Sequence, residues 1–542
     1  MKLKFIAFLT ITFLILISGL GSWGLTESSE ARYAQIAKEM VDSGDFVNPT
    51  LLGIKHFHKP PLTYYITSIG FKLFGINEFG ARFFMQVALI FQLILVFLIA
   101  QILYKNKKIA FVASLIYLSF PLVLISVRNL TTDAFLTTFI LATIYFWLQY
   151  RNHQKPPYLY LFYLFLGLIF ETKGPVGLLI PITFIITTKI IFKEKIQHSL
   201  HQYLGFLLFV IISISWFILL FNSNSGLLNY FINHQIIDRV AVDKFNRSEP
   251  FWYYLLLGPL VGFPMFFLLF ADFKSYFLSI FRQQTIERSL VISFLVFLTV
   301  LSLSTSKLIL YALPLYSILA LLLANKLHKA SERWLNNLLK IYYIFLGLLL
   351  IGSIVIPFLD TQIKIDNVST LIFTLLIVVV LVFIYINKSL PKTSKLLYLG
   401  FLLMFTLIVE SNLFFKNNEL IVNSVKPIAN FINNEKNDNR KTIIIYNTLL
   451  PSLSFYLNQP IITVNNGYYT TQRETYFETD NQWKRLLINY KDKSERDSLL
   501  TLTENKNTFL IMKKNALEQD TLKLIKNNFK SSKIFGNYLV YY

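Results

Sequence analysis

The chain has 542 residues, of which 54% are hydrophobic, 16% aromatic and 15% charged, with no cysteine. A soluble chain of that size could not bury so much apolar surface and still cover itself with polar groups, so an ordinary soluble globule is excluded. The net charge of +21 falls in short clusters between apolar runs, which argues against nucleic-acid binding, and the absence of cysteine excludes disulfides, thiolate metal sites and cysteine nucleophiles.

In chain order, Lys2 and Lys4 precede an apolar run to Leu20 that is long enough to span a membrane and has no A-x-A-like cleavage site, which predicts a retained first helix. Segment 23–80 is too long for a connector. It predicts a helix from Glu30 to Val41, capped by Ser28 or Ser29 and stopped by Gly44, with Tyr33, Ala34, Ala37, Met40 and Val41 on one interfacial face. A second helix starts at Pro60-Pro61, runs to Phe74 and ends at Gly75.

Apolar runs at 5–22, 82–104, 109–127, 132–150, 157–170, 174–192, 202–221, 251–270, 289–304, 308–325, 338–357, 368–386 and 395–415 predict about thirteen spans. Alternate loops carry the basic clusters: Lys105, Lys107, Lys108; Arg151, Lys155; Lys189, Lys193, Lys195; Lys274, Arg282, Arg288; Lys326, Lys329, Arg333; Lys388, Lys392, Lys395. The opposite loops carry mostly single cations, so the clustered set and the amino terminus are predicted to be cytoplasmic. Segment 23–80 and the tail after 415 then lie outside. From 416 to 542 the composition turns to Asn, Lys and Glu with short apolar runs. A helix over 421–433 and strands at 441–446, 461–464, 508–512 and 538–542 predict a small α/β domain behind a transmembrane domain of residues 1–415.

Polar groups at membrane level on the outer side are costly there and usually face a cavity. Six sets qualify. Glu27 and Glu30 offer a general base or a plain helix cap. His56, His58 and Lys59 at a helix entry offer a phosphate or metal site, or an interfacial cationic anchor. Arg128 and Asp133 flank a third turn, Glu171 and Lys173 a fourth, His234 and Arg239 a fifth, and Lys307 with Tyr311 a sixth. Each alone has a structural explanation; together their excess of cations suits an anionic phosphate or pyrophosphate. His58 with His234 could supply part of a Zn or Mg site.

The run Glu30-Ala31-Arg32-Tyr33-Ala34-Gln35-Ile36-Ala37-Lys38-Glu39-Met40, then Ser43-Gly44-Asp45-Phe46 and His58-Lys59-Pro60-Pro61, resembles the opening of the GT-C glycosyltransferases of the aminoarabinose transferase (ArnT) and protein O-mannosyltransferase superfamily. Thr131-Thr132-Asp133, Thr172-Lys173-Gly174, His234 with Arg239, Glu249-Pro250-Phe251-Trp252-Tyr253-Tyr254 and Lys307 with Tyr311 and Pro314 follow in that family's order. The resemblance implies a bacterial inner-membrane enzyme that takes a sugar from a polyprenyl (undecaprenyl) phosphate donor. Transfer would go to a lipid or protein acceptor on the periplasmic face, a lipid A-type or other envelope glycolipid being favoured. It implies Glu30, Glu27 and Asp133 at the reacting centre. Arg32, Lys59, Arg128, Lys173, Arg239, Lys307 and Tyr311 would hold phosphate, and His58 with His234 a metal. Two positions depart from the pattern: the family's first-loop Asp-Glu pair reads Ser29-Glu30, and His58 stands where close relatives have Glu. A transporter or flippase of lipid-linked sugars would carry internal repeats with matched broken helices, which the sequence lacks. A glycan polymerase or ligase would differ only in donor chemistry.

Overall fold

A computed structural model gives the fold for residues 2–542 apart from 28, 196–197, 225–226, 228–248, 360–362, 436–440, 506 and 515–527. Helix α1 (Lys2–Ile17) leads into α2 (Ser29–Ser43), a two-stranded hairpin of β1 (Thr50–Leu51) and β2 (Ile54–Lys55), and α3 (Leu62–Phe74). Both predicted stops hold for a backbone reason: Gly44 and Gly75 take φ of +72° and +83°, conformations costly for any residue with a Cβ.

A bundle follows: α4 (Glu78–Tyr104), α5 (Lys107–Leu118), α6 (Pro121–Arg128), α7 (Thr132–His153), α8 (Pro156–Lys173), α9 (Leu179–Phe192) and α10 (Leu200–Ser223). Asn77 caps α4 by accepting from the Gly80 amide at 2.8 Å, and 27 largely apolar residues then run uninterrupted. Among the described residues eight helices are long and apolar enough to cross a membrane, or nine if the bent pair α5 and α6 is one span, fewer than the thirteen expected. For three of the runs the reason is local. Pro121 cannot continue α5, and α6 leaves at 61°. Run 251–270 breaks at Pro264 into the helix Tyr253–Val261 and a 3-10 turn, Met265–Phe270. Helix α1 has only 16 residues.

The helix Leu313–His328 runs through the middle of the bundle. In its segment 83% of the apolar window is buried, against 28% for Asn367–Ile386, which faces outward. The tail begins its helix at Lys426, five residues later than expected, and ends it at Glu435. It then builds one sheet in the order β5-β4-β3-β6-β8-β7: β3 (Thr442–Tyr446), β4 (Ile462–Asn465), β5 (Leu487–Asn489), β6 (Thr508–Lys513), β7 (Ser532–Phe535) and β8 (Tyr538–Tyr541). Strands β5, β4, β3 and β6 are parallel; β8 and β7 add on antiparallel.

Candidate functional site

The site is built where α2, α3, α7 and α8 meet, and its hub is Tyr33. This side chain is 5% exposed; the Lys59 ammonium donates to its phenol oxygen and lies 5.0 Å from its ring centre. Tyr64 packs beside it at 5.6 Å between ring centres. Burial first, then the neighbouring Asp133, push the phenol up to about 12, while Arg32 and Lys173 pull the other way. The phenol therefore stays protonated at neutral pH and able to donate.

Asp133 sits in the first turn of α7, buried, and accepts from Lys173 Nζ at 2.5 Å. Lys173 is placed by the end of α8, which Gly174 stops at φ +72°. Its ammonium lies 3.9 Å from the ring centre of Tyr311, so the distant sixth motif does join the site. Arg32, on the turn of α2 next to Tyr33, makes no hydrogen bond to a described residue, and its Nε is buried without a partner. Its charge is felt at Tyr33, Tyr64, His56 and Arg473. Arg32, Lys59 and Lys173 thus gather around Tyr33, with Lys173 paired to Asp133.

Four expected members have protein partners of their own in this structure. Glu30 is 1% exposed and grips Arg82 through two hydrogen bonds, 2.7 Å to Nε and 2.9 Å to Nη2. The Thr26 amide, the Thr26 hydroxyl and the Leu130 amide also donate to it, which leaves little lone-pair capacity for a substrate proton. Burial alone would raise its pKa, but the Arg82 charge and these bonds hold it below the usual value. Glu27 accepts from the amide and hydroxyl of Ser452, joining the first loop to the tail. Arg128 donates to Leu16 O at 2.6 Å and to Asn412, and stacks at 4.7 Å on Trp23, whose other neighbour is Arg82 at 4.3 Å. Lys307 donates to the carbonyls of Glu249 and Ser304 and so pins the chain ahead of Tyr253–Val261.

Arg82 and the tail residues Arg473 and Glu474 have no counterpart in the sequence-level expectation. Arg82 could have been suspected as a lone cation heading an apolar run. Arg473 donates to Leu51 O at 2.9 Å and Ile54 O at 3.1 Å, and Glu474 faces His58 Nε2 at 3.2 Å. His56, buried and 4.0 Å from His58 between ring centres, is held well below its ordinary pKa by burial and then by His58, Arg473, Arg32 and Lys59. His234 and Arg239 lie outside the described residues. Among the described residues no three His, Cys, Asp or Glu side chains are arranged to hold a metal ion; His58 faces Glu474, and its expected co-ligand His234 is not among those residues.

Residues 58–217 match the family described as dolichyl-phosphate-mannose-protein mannosyltransferase. The chain is 30% identical over 357 residues to an undecaprenyl phosphate-alpha-4-amino-4-deoxy-L-arabinose arabinosyl transferase of Proteus mirabilis, and the match spans 64% of each chain. It is 31% identical over 346 residues to a protein of the same name from Pseudomonas fluorescens, spanning 62% of each. The chain thus spans less than two thirds of the length of these relatives. The crystal structure of ArnT from Cupriavidus metallidurans bound to undecaprenyl phosphate superposes with a TM-score of 0.81 over 99% of this chain and 97% of that one, at 20% identity. The apo form gives 0.77.

Proposed function

We propose that this chain, which has the GT-C glycosyltransferase fold and resembles the aminoarabinose transferases in sequence, moves a sugar from a polyprenyl phosphate donor to a lipid acceptor of the cell envelope. The reading rests above all on one observation: a buried, unpartnered guanidinium nitrogen of Arg32 beside Lys59, Tyr33 and the Lys173–Asp133 pair. A buried guanidinium nitrogen without a partner at membrane depth is costly, and a phosphate bound there offsets that cost.

The chemistry follows from the charges. An acceptor oxygen attacks the anomeric carbon as the bond from that carbon to the donor phosphate oxygen breaks. The departing polyprenyl phosphate gains negative charge, which Arg32, Lys59 and Lys173 stabilise and the Tyr33 phenol hydrogen-bonds. Where the acceptor is a hydroxyl, Asp133 takes its proton; Lys173 orients that carboxylate. Where the acceptor is a phosphate, no base is needed, and Asp133 is available to a sugar amine or hydroxyl. The names of the relatives make a 4-amino-4-deoxypentose the first donor sugar to test. Arg239 completes the phosphate set in this reading. A metal at His58 and His234 remains open to test by metal analysis of the purified protein, and no step depends on it.

The clustering of Lys and Arg in alternate loops supports a site on the periplasmic side of a bacterial inner membrane. The test is transfer by the purified, reconstituted protein from undecaprenyl phosphate-linked aminoarabinose to a lipid A-type acceptor. Lys173→Ala is expected to lower the rate by about 10²- to 10³-fold with helical content unchanged. Undiminished transfer by that variant contradicts the reading.

A further inference from the structure

At the far end of the bundle a second charged feature takes no part in sugar transfer. Tyr311, beneath Lys173, precedes the 16-residue helix Leu313–His328, whose rise of roughly 24 Å carries the chain to the opposite membrane face. There Lys326 is 5% exposed. It donates to Leu269 O at 2.6 Å and lies 4.7 Å from the ring centre of Tyr276. No carboxylate among the described residues forms an ion pair with it.

Beside Lys326 lies the helix Phe273–Arg282, which has two unlike sides. Phe273, Phe277 and Phe281, four residues apart, pack against one another at 5.6 and 4.7 Å between ring centres. Lys274, Ser275, Ser279 and Arg282 take the other side, as in a helix lying in a membrane interface. Tyr276 fastens it to the bundle by donating to Leu322 O at 3.2 Å.

Two contiguous clefts share Asp272 and Ser275. One, of about 450 Å³, has Phe270, Phe273 and Leu278 in its wall with Lys274 at its edge. The other, of about 370 Å³, is lined by Ser275, Tyr276, Ser279, Lys326 and Lys329. The Asp272 carboxylate acts on Lys326 through its charge, and Glu287 lies next to Tyr276, where its Oε1 already accepts from Tyr104 at 2.7 Å and Asn325 at 3.0 Å.

We propose that this pair of clefts binds an anionic phospholipid of that leaflet. Its phosphodiester sits between Lys326 and Lys329 with hydrogen bonds from Ser275 and Ser279, and an acyl chain lies along Phe270, Phe273 and Leu278. The apolar cleft next to the cationic one favours a lipid over a soluble phosphate ester, which would leave Phe270 and Phe273 bare. Basic pockets between transmembrane helices at a cytoplasmic face suit such headgroups.

The test is native mass spectrometry of the purified full chain with dioleoylphosphatidylglycerol or dioleoylphosphatidylcholine. The proposal predicts preferential retention of the phosphatidylglycerol and an about fivefold loss of that preference for each lysine removed, in Lys329→Gln and Lys326→Met. Lys329 and Ser275 are exposed, so Lys329→Gln and Ser275→Ala keep the test usable should the Lys326 variant fail to fold. Equal retention of both lipids, or an undiminished preference in Lys329→Gln, overturns the proposal. So does displacement of the lipid by millimolar glycerol 3-phosphate, which would mark the clefts as a site for soluble phosphate esters.

Discussion

Glu30 and Arg32 leave the same turn of α2 for opposite purposes. Glu30 is locked to Arg82 in a buried pair, whereas Arg32 keeps an unpartnered nitrogen beside the reacting centre. Breaking a buried pair from one side leaves the other charge uncompensated. Glu30→Gln is therefore expected to cost about 3–5 kcal/mol, read as a lower unfolding temperature and a lower yield of folded protein. Because its folded pKa lies below the unfolded one, Glu30 contributes stability above the ordinary carboxylate range. That contribution is lost as pH falls through the lowered folded value, so thermal unfolding in acid should separate wild type from Glu30→Gln less and less. Arg32→Gln should instead unfold like wild type and bind the donor phosphate about 10- to 100-fold more weakly. An unchanged affinity would remove Arg32 from the site. Both residues stand out in the sequence as charges after an apolar run. Sorting them needed Arg82, which lies 52 positions from Glu30 and sits inside a predicted span.

At the scale of elements, the site depends on how α3 lies on α4 and how the tail holds the first loop. A Cβ at Gly70 would collide with the Gly80 carbonyl oxygen, so the two helices can approach this closely only without one. Gly70→Val should push α3 away from α4, shift Lys59 at its entry, and lower both thermal stability and transfer; an unchanged unfolding curve would refute that packing argument. Across the other contact, Glu27 meets Ser452, Arg473 meets the β1–β2 hairpin, and the Lys55 amide donates to Glu478 at 2.6 Å. Ser452→Ala leaves Glu27 buried with one donor fewer, at a cost of about 1–3 kcal/mol, and should speed proteolysis within residues 23–80. Equal digestion rates would show that the tail does not brace the loop. The boundaries of α2 and α3 were legible because Ser, Pro and Gly mark backbone conformations directly. Strands β5 and β7 were not: one has three residues, the other is almost wholly exposed, and neither carries a periodic apolar signal. The proline breaks at 121 and 264 were visible as residues, but whether each ends a span or only bends it is not written in the apolar pattern around it.

For the whole molecule, composition sufficed to assign the membrane, and the fold gathers Lys59, Asp133, Lys173 and Tyr311 near Tyr33, which the sequence offered only as part of an apolar helix face. Arg128 and Lys307 donate to backbone carbonyls, since a cation at membrane depth binds these as readily as a phosphate, and sequence spacing does not distinguish the two. On the proposed reading, Arg32, Lys59 and Lys173 neutralise the phosphate of a lipid carrier. Equilibrium binding of undecaprenyl phosphate alone to the purified protein, with no sugar or acceptor present, isolates that claim. Binding weakened at least about tenfold in both Lys59→Ala and Arg32→Gln, with unfolding temperatures unchanged, is the predicted result. Wild-type affinity in both variants would contradict it.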